Sequence, residues 1–515
     1  PARRTPPKLP RPAPAPLAES AAVAALVARL DALDDPAARD RVVAAFWGEE
    51  ARRTPLIEPV EGRDDERIVT FLWRDGTAYQ ILLFVNRLTD ERDLESSLMR
   101  RVAGTDVWHL SYRMGSDWRA SYAVLPHRPG EPVPWTDEHD QVAVRAALDH
   151  GLPDPRNPVC NRNRSGVLQS VAELPDAPPQ PWLAPRAGVP RGTVERCSGP
   201  DGRTLWVYRP PSAGEPVPDR GGVDDVLARR PPGSSTAGGL VPGRGDDDGP
   251  ARRPPSDGLT LGRGGDDEFA RRPPSDGLTL GRGDDDEILV NPSRDGDECV
   301  RRPPAPQLAA EHRLPLLMVL DGEVWTGHQD LPMTLDNLIA DREIPPVHAV
   351  FVDSGGRDRR WAELDEGGHL DDYLAGDLLA WARERYPISD DSRDVIVVGQ
   401  SLGALTALWT LVRHPDAVGA AISQSASLWQ DAILSAIPGS DLTGTRAWLE
   451  VGRQEWVLQP RHPAVVDLLR QAGAEVRYTE FNGGHDYACW RGGLADALRA
   501  LLRSRPAAIR STGWR

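Results

Sequence analysis

Residues 399–403, with the sequence Gly-Gln-Ser-Leu-Gly, have the pattern G-x-S-x-G around Ser401. An apolar run precedes this segment and a helix-forming segment follows it, which is the strand–turn–helix context that a nucleophilic serine of this motif requires. The two glycines allow a sharp turn that exposes the serine above the end of a sheet. We therefore predict that Ser401 is a catalytic nucleophile.

A serine hydroxyl at its ordinary pKa is a weak nucleophile and requires a neighbouring base. His485 is the candidate base, because it follows the last predicted strand, 84 residues after Ser401, and the histidine comes last in chain order in this arrangement. The acid that orients the histidine is expected on the loop after the strand RAWLEVG. Glu455 on that loop is the preferred acid, and Glu450 and Asp486 remain alternatives.

The intermediate of such a reaction carries a negatively charged oxygen, which backbone N–H groups can stabilise. One donor is expected to be the N–H of Leu402, at the start of the helix behind the serine. The second is expected from the loop after the strand 314–320, which begins Asp-Gly-Glu, and we assign it to Gly322.

Apolar strands alternate with helical segments in the second half of the chain. Residues 314–320, 348–354 and 394–401 are predicted strands, three more apolar runs follow, and amphipathic helices separate them. This alternation predicts a mostly parallel sheet covered by helices on both faces. Together with the serine motif it predicts class α/β and an α/β-hydrolase fold for residues 191–515.

The first part of the chain has a different composition. Residues 1–17 are rich in proline, alanine and arginine and are predicted to be disordered. Residues 18–150 are predicted to form a small all-β sandwich domain on the substrate side, led by one helix over about 18–45, because short β-branched and aromatic runs alternate with turn residues. Residues 151–190, rich in proline and polar groups, are predicted to form a connector.

A repeat tract at 211–311 interrupts the catalytic part. The sequence ARRPPSDGLTLGRG occurs at 251–264 and again at 270–283, and basic and acidic groups alternate along the tract. The repeats hold too few apolar residues to bury a face against a neighbour. We therefore predict a long disordered insertion, an expanded surface loop between two strands.

Composition disfavours several classes of function. The net charge is −16, from 61 basic and 77 acidic residues, so neither nucleic acid nor a membrane surface is an expected partner. Four widely spaced cysteines without a CxxC pair predict neither a metal site nor a disulfide framework. Because no apolar run of membrane-spanning length and no apolar signal core is found, we expect a cytoplasmic enzyme.

Several short segments resemble the enterochelin (enterobactin) esterase family. In chain order they include FLWRD, RVAGTDVWHLSYRM, LMVLDGEVW, VVGQSLGALTAL, SQSASLW, LEVGRQE and NGGHDYACWRGGL. The resemblance covers about residues 67–501 apart from the repeat tract. The segments GTDVW and GGHDxxCWRGG are more specific than the serine motif, because general esterases lack them.

The resemblance implies a serine esterase that cleaves the trilactone ester bonds of a ferric catecholate siderophore such as enterobactin, inside the cell. It implies the same nucleophile, base and acid. It also places Arg360 and Trp490 at family positions, and with Trp429 these are candidate substrate contacts. An arginine offsets the charge of a ferric tris-catecholate, and indole rings stack on catechols. No cofactor is implied, since iron enters only as part of the substrate.

Alternatives remain open for these residues and for the function. Arg360 could pair with Glu363 instead, and Trp490 could serve to pack the last helix. Ala426 stands where the family has a glycine, and an asparagine expected near Gly367 is replaced. The competing hypotheses are an esterase or acyltransferase of related fold acting on a sugar, phenolic or peptide ester, and a catalytically silent binding protein, which the intact triad disfavours.

Overall fold

A computed structural model describes residues 7, 9–135, 141–211, 313–365 and 368–503 of the 515-residue chain. These residues belong to one compact unit. The predicted insertion at 211–311 lies outside the described residues, apart from its first position. Among the helices described, none has both the length and the apolar character needed to cross a membrane.

The described N-terminal part consists of helices and two four-stranded sheets. The helices are α1 (Ala21–Asp31), α2 (Pro36–Gly48) and α3 (Gln141–Asp149). The strands are β1 (Leu56–Val60), β2 (Arg63–Arg74), β3 (Gln80–Val85), β4 (Arg100–Arg101), β5 (Val107–Gly115), β6 (Arg119–His127), β7 (Cys160–Arg162) and β8 (Leu168–Glu173). One sheet has the order β1–β2–β5–β4 and the other has the order β3–β6–β8–β7.

The two sheets bury a common core that includes the large side chains of Phe71, Trp108, Trp118 and Tyr122. Alternate residues of each strand point into this core, as expected for two packed antiparallel sheets. The long pair β2 and β5 is antiparallel, with Trp73 opposite Trp108. The predicted sandwich is confirmed, and its tryptophans pack in its core.

Two features of this part, its leading helices and its last two strands, differ from the prediction. The leading segment forms two helices rather than one, because Asp35 caps α2 and Pro36 occupies its first turn. The expected connector contributes β7 and β8, which extend the second sheet by pairing β8 with β6. Their short length and polar surroundings concealed these strands from a pattern-based prediction.

Residues 9–17 lie against the sandwich, although composition predicts disorder for the whole segment 1–17. Leu17 forms an antiparallel bridge with Tyr112, beyond the point where the two-residue strand β4 stops covering β5. The guanidinium group of Arg11 donates to the carbonyl oxygens of Leu88 and Thr89, at 2.9 and 3.0 Å. Backbone pairing at an exposed strand edge requires no apolar side chains, so composition could not predict it.

The catalytic part is a single eight-stranded sheet with helices. Its strands are β9 (Thr193–Ser198), β10 (Thr204–Arg209), β11 (Leu316–Leu320), β12 (His348–Val352), β13 (Val395–Gln400), β14 (Ala420–Gln424), β15 (Arg446–Gly452) and β16 (Glu475–Phe481). Its helices are α4 (Gly322–Gly327), α5 (Leu331–Ala340), α6 (Gly356–Leu364), α7 (Leu370–Tyr373), α8 (Leu379–Arg385), α9 (Leu402–Arg413), α10 (Ala432–Ala436), α11 (His462–Gln471) and α12 (Tyr487–Leu502).

The strand order is β16–β15–β14–β13–β11–β12–β10–β9, with β11 to β16 parallel and the hairpin β9–β10 antiparallel at one edge. Separate apolar cores cover the two faces, one with α9 and α11 and the other with α5 and α12. The predicted α/β-hydrolase fold is confirmed. Because β11 and β13 to β16 are parallel, the loops after them meet at one edge of the sheet, where ligands bind in such folds.

Candidate active site

Ser401 lies on a sharp turn between β13 and α9. Its backbone has φ 60° and ψ −117°, a conformation that non-glycine residues rarely adopt. A side chain at Gly399 would place its Cβ 2.1 Å from the carbonyl oxygen of Gly403, so the turn requires glycine there. The hydroxyl of Ser401 is 3.4 Å from that of Ser427. The geometry is that of a nucleophile elbow, as the motif predicts.

His485 lies on the loop between β16 and α12, and Glu455 lies on the loop after β15. The Nδ1 atom of His485 is 2.5 Å from Oε2 of Glu455. Both His485 and Ser401 line the same cavity. The structure thus brings together the three predicted catalytic residues. Hydrogen bonds between nucleophile and base often tighten only when substrate is bound.

Glu455 is fully buried, and three groups bind its carboxylate. Its Oε1 accepts from the hydroxyl of Ser425 at 2.5 Å and from the backbone N–H of Gly452 at 2.9 Å, while Oε2 faces His485. Burial alone would raise the pKa of Glu455, but His485, Arg87 and the Ser425 hydroxyl outweigh it and lower that pKa. The carboxylate therefore stays ionised and holds the imidazole in one orientation.

Ser425 is a site residue that the sequence analysis missed. It adopts a left-handed backbone conformation, with φ 54°, directly after β14. Its hydroxyl also accepts a hydrogen bond from Nε1 of Trp490 at 2.9 Å. A signal was available, because Ser425 follows a parallel strand at the same sheet edge as Ser401.

The alternative acids serve other purposes. Glu450 accepts hydrogen bonds from Nε2 of Gln424 at 2.7 Å and Nε1 of Trp448 at 3.0 Å, within the sheet. Asp486 accepts from the backbone N–H and hydroxyl of Ser121, at 2.6 and 2.8 Å, and so links the histidine loop to β6. Glu455 is the carboxylate bonded to the histidine ring.

The two predicted oxyanion donors begin the helices that follow two neighbouring strands. Leu402 begins α9, separated by one residue from the end of β13, and Gly322 begins α4, separated by one residue from the end of β11. β11 and β13 are hydrogen-bonded neighbours, with Val319 opposite Val398. Both backbone N–H groups are therefore at the same edge of the sheet as Ser401, which is the placement that an oxyanion hole requires.

Arg360 lines the cavity but is already paired. Its Nε and Nη2 donate to the two carboxylate oxygens of Asp321, at 2.7 and 2.8 Å. The sequence analysis considers a substrate contact or an ion pair with Glu363 for this residue, and the structure pairs it with Asp321 instead. Glu363 pairs with Arg203 and Arg359. The charge of Arg360 is thus largely balanced within the protein, and its role as the offset for substrate charge is not supported by its contacts.

Of the two predicted stacking residues, one is buried and the other lies elsewhere. Trp490 is 3% exposed. Its ring makes an edge-to-face contact with the imidazole ring of His485, and the two ring centroids are 4.6 Å apart. It packs the histidine and offers little ring surface to a ligand. Trp429 is half-buried beside Trp361, and the centroids of the two rings are 6.4 Å apart. Trp429 is not among the described residues that line the cavity.

The cavity beside Ser401 has a volume of about 200 Å³ and has walls from both parts of the chain. The sandwich side contributes Asn86, Arg145, Asp149, Asn163, Arg164 and Gln169, and the catalytic side contributes Arg360, Gln400, Ser401, His485, Asp486, Tyr487 and Trp490. The sandwich residues were not predicted as site residues, because nothing in their local sequence shows which surface they face.

Asn86 connects the sandwich directly to His485, the predicted catalytic histidine. Its Nδ2 donates to the carbonyl oxygen of His485 at 3.1 Å. Gly484, the preceding residue, packs so tightly that a Cβ there would lie 2.2 Å from Cγ of Arg87. The loop after β3 therefore sets the position of the histidine loop.

Two family models match the chain. The model described as "Enterochelin esterase, N-terminal" matches residues 68–183, and the model described as "Putative esterase" matches residues 300–501. The first match includes β7 and β8, in agreement with a sandwich that continues beyond residue 150.

Relatives match along most of their length. The iron(III) enterobactin esterase of Dickeya dadantii is 27% identical over 499 residues, covering 89% of this chain and 92% of that protein. The iron(III) salmochelin esterase of Escherichia coli O6:H1 is 27% identical over 485 residues, covering 88% of this chain and 93% of that protein.

Solved structures share the fold. The ferric enterobactin esterase of Salmonella typhimurium aligns with a TM-score of 0.60 at 22% identity, over 89% of this chain and 98% of that one. The enterobactin esterase of Shigella flexneri, in a crystal structure determined in the presence of enterobactin, aligns with a TM-score of 0.57 at 21% identity, over 89% and 97%. The family models and these long matches show that the chain belongs to the enterochelin esterase family and is a carboxylic ester hydrolase.

Proposed function

We propose that this enzyme hydrolyses the ester bonds of a ferric catecholate siderophore with a trilactone ring, such as ferric enterobactin. The observation that carries the proposal is the triad of Ser401, His485 and Glu455 in a cavity that the family's own N-terminal domain helps to form. Relatives matched over most of their length carry the names of enterobactin and salmochelin esterases.

The reaction begins with attack by the hydroxyl oxygen of Ser401 on the ester carbonyl carbon. His485 accepts the hydroxyl proton, and its bond to Glu455 stabilises the imidazolium that forms. The carbonyl oxygen becomes an oxyanion, for which the N–H groups of Leu402 and Gly322 are the proposed donors. Collapse breaks the ester bond, and His485 gives its proton to the departing alkoxide.

Hydrolysis of the acyl-enzyme repeats the same steps with water. His485 accepts a proton from the attacking water and gives it to the departing oxygen of Ser401, so that collapse releases a carboxylic acid and restores the serine hydroxyl. Each cycle cleaves one ester bond, so a trilactone is opened first and then shortened. Separation of the catecholate arms weakens chelation of the iron.

Three further features belong to the proposal. The reaction uses no cofactor, because the triad supplies nucleophile, base and acid, and iron arrives with the substrate. The enzyme works in the cytoplasm, since release of iron there serves the cell. Subcellular fractionation tests the location, and assay of a simple ester after dialysis against a chelator tests the independence from a cofactor.

The decisive experiment is hydrolysis of ferric enterobactin by the purified enzyme, with products separated by chromatography over time. Ser401→Ala is the control, since removal of a triad nucleophile costs about 10⁶-fold in kcat while the fold remains. Successive appearance of linear trimer, dimer and monomer with wild type alone would support the proposal. If wild type leaves the siderophore intact but hydrolyses p-nitrophenyl acetate, the substrate assignment is wrong.

A further inference from the structure

We propose that the side chain of Asp321 is a positioning residue for the oxyanion hole, and that Arg164 makes this position depend on the N-terminal part of the chain. The proposal rests on the proposed serine-esterase function. Asp321 directly precedes Gly322, whose N–H is the second expected oxyanion donor. Its carboxylate would act through that backbone group without touching the substrate.

The conformation of Asp321 needs support from its surroundings. Its backbone is left-handed, with φ 56° and ψ 46°, which is uncommon for a residue with a Cβ. The side chain is 1% exposed and faces two arginines. Burial alone would raise the pKa of Asp321, but Arg360 and Arg164 outweigh it and hold that pKa well below its usual range. The buried carboxylate is therefore ionised and firmly bound.

Arg360 connects this carboxylate to the nucleophile elbow. It donates to both oxygens of Asp321, and its Nη2 also lies 3.4 Å from the carbonyl oxygen of Gln400, the residue before Ser401. One guanidinium group thus spans the ends of β11 and β13. Its contacts set the spacing between the loop that carries Gly322 and the turn that carries the serine.

Arg164 adds a contact from the loop between β7 and β8. Its Nη2 donates to Asp321 at 3.1 Å, to Glu323 at 3.0 Å and to the hydroxyl of Ser354 at 3.1 Å. These three partners belong to the catalytic part: Asp321 and Glu323 lie at the start of α4, after β11, and Ser354 lies on the loop after β12. The sandwich therefore holds the oxyanion loop on one side of the cavity, just as Asn86 holds the histidine loop on the other.

Gly322 has little freedom to find another position. A Cβ there would lie 2.7 Å from the backbone of Phe351 and Val352, so the loop is already packed against β12. The carbonyl oxygen of Asp321 also accepts from the N–H of Val324 at 3.0 Å. This carbonyl and the N–H of Gly322 belong to the same peptide, so loss of the side-chain contacts of Asp321 is expected to tilt that peptide slightly rather than to displace the start of α4.

Asp321→Asn is the test variant. Asparagine keeps the shape and tolerates the left-handed region, so the substitution removes the carboxylate charge that binds the two arginines. Asp371→Asn is the matched control, because Asp371 is also a buried carboxylate that accepts from an arginine, Arg413, at 2.9 Å, and it does not line the cavity. Both variants are assayed with p-nitrophenyl acetate, with active sites counted by fluorophosphonate labelling.

We expect Asp321→Asn to lower kcat per labelled site by about 10- to 100-fold, with KM within about twofold of wild type. Loss of one oxyanion donor costs about 10²- to 10³-fold, and a misplaced donor costs less. A boronic acid inhibitor, whose serine adduct places an oxygen in the oxyanion hole, should lose affinity by a factor similar to the loss in kcat. Asp371→Asn should keep kcat and inhibitor affinity.

Arg164→Met is a second test, in case Asp321→Asn fails to fold. The Arg164 side chain is 39% exposed and can be replaced without leaving a buried void. Arg164→Met should lower kcat per labelled site and inhibitor affinity by about three- to tenfold, with KM again close to wild type. Normal kcat per labelled site in both variants would overturn the proposal, as would a rise in KM alone, which indicates direct substrate contact. The simple ester keeps this test valid even if ferric enterobactin is not the substrate.

Discussion

The two nitrogens of His485 have different tasks, and the bond to Glu455 decides which is which. Nδ1 faces the carboxylate at 2.5 Å, so Nε2 is left for the serine hydroxyl. Ser425 and the N–H of Gly452 bind the other carboxylate oxygen and prevent its rotation. The base is thus oriented by a carboxylate that is itself held in place.

Replacing Glu455 by glutamine should leave a folded but nearly inactive enzyme. The amide cannot stabilise the imidazolium and favours the wrong tautomer, so kcat for p-nitrophenyl acetate should fall by about 10⁴-fold. Glu480→Gln, an exposed carboxylate on β16, is the matched control and should keep wild-type kcat. A loss below about tenfold for Glu455→Gln would show that another group orients His485.

At the scale of elements, a row of buried polar side chains crosses the sheet beneath the site. Nε1 of Trp325 donates to Gln400, Gln400 donates to Gln424, and Gln424 donates to Glu450, each at 2.7 Å. Nε1 of Trp448 completes the row at Glu450. The row connects β13, β14 and β15 directly below Ser401, and every amide in it has a partner, as a buried polar network requires.

Glu450 at the end of this row should make stability depend on pH. Burial raises its pKa to about 7, compared with about 4.3 in an unfolded chain. The carboxyl of Glu450 therefore binds a proton more tightly in the folded protein than in the unfolded chain. This difference stabilises the fold fully below a pH of about 4.3, and the stabilisation is lost as the pH rises through about 7. Relative to Glu450→Gln, wild type should lose about 3 kcal/mol of unfolding free energy across this range.

Urea unfolding of both proteins at several pH values between about 5 and 8 measures this difference. Comparison with the variant cancels the contributions of all other titrating groups. A constant difference between the two proteins would show that Glu450 titrates near its ordinary pKa.

At the scale of the whole molecule, the sandwich is part of the active site. It supplies almost half of the residues that line the cavity, and it binds the histidine loop through Asn86 and through Ser121, which bonds Asp486. We therefore expect the sandwich to contribute to catalysis as well as to the shape of the cleft.

Asn86→Ala, a change in the sandwich, should slow catalysis in the catalytic part. Loss of its bond to the carbonyl oxygen of His485 removes one support of the histidine loop, and a neutral hydrogen bond is worth about 0.5–1.5 kcal/mol, so kcat should fall about two- to tenfold. Thr77→Ala removes a hydrogen bond to Asp75 within the sandwich, outside the cavity, and should leave kcat unchanged. Equal kcat values for the two variants would contradict this role.

The sequence by itself determined the parts of this protein that depend on local patterns. The motif around Ser401, the six parallel strands and the place of His485 after the last one are properties of short segments, so apolar periodicity and turn residues were enough to predict them. The fold class and the family followed from the same segments.

Only the tertiary structure decided which distant groups meet. It placed Glu455 and not Glu450 on His485, paired Arg360 with Asp321, buried Trp490, and added two strands from 151–190 to the sandwich. Such contacts join residues far apart in the chain, and their partners depend on how strands align and loops meet. A carboxylate or an arginine has the same local sequence signature whether it binds substrate or another side chain, so only its position in space shows which it does.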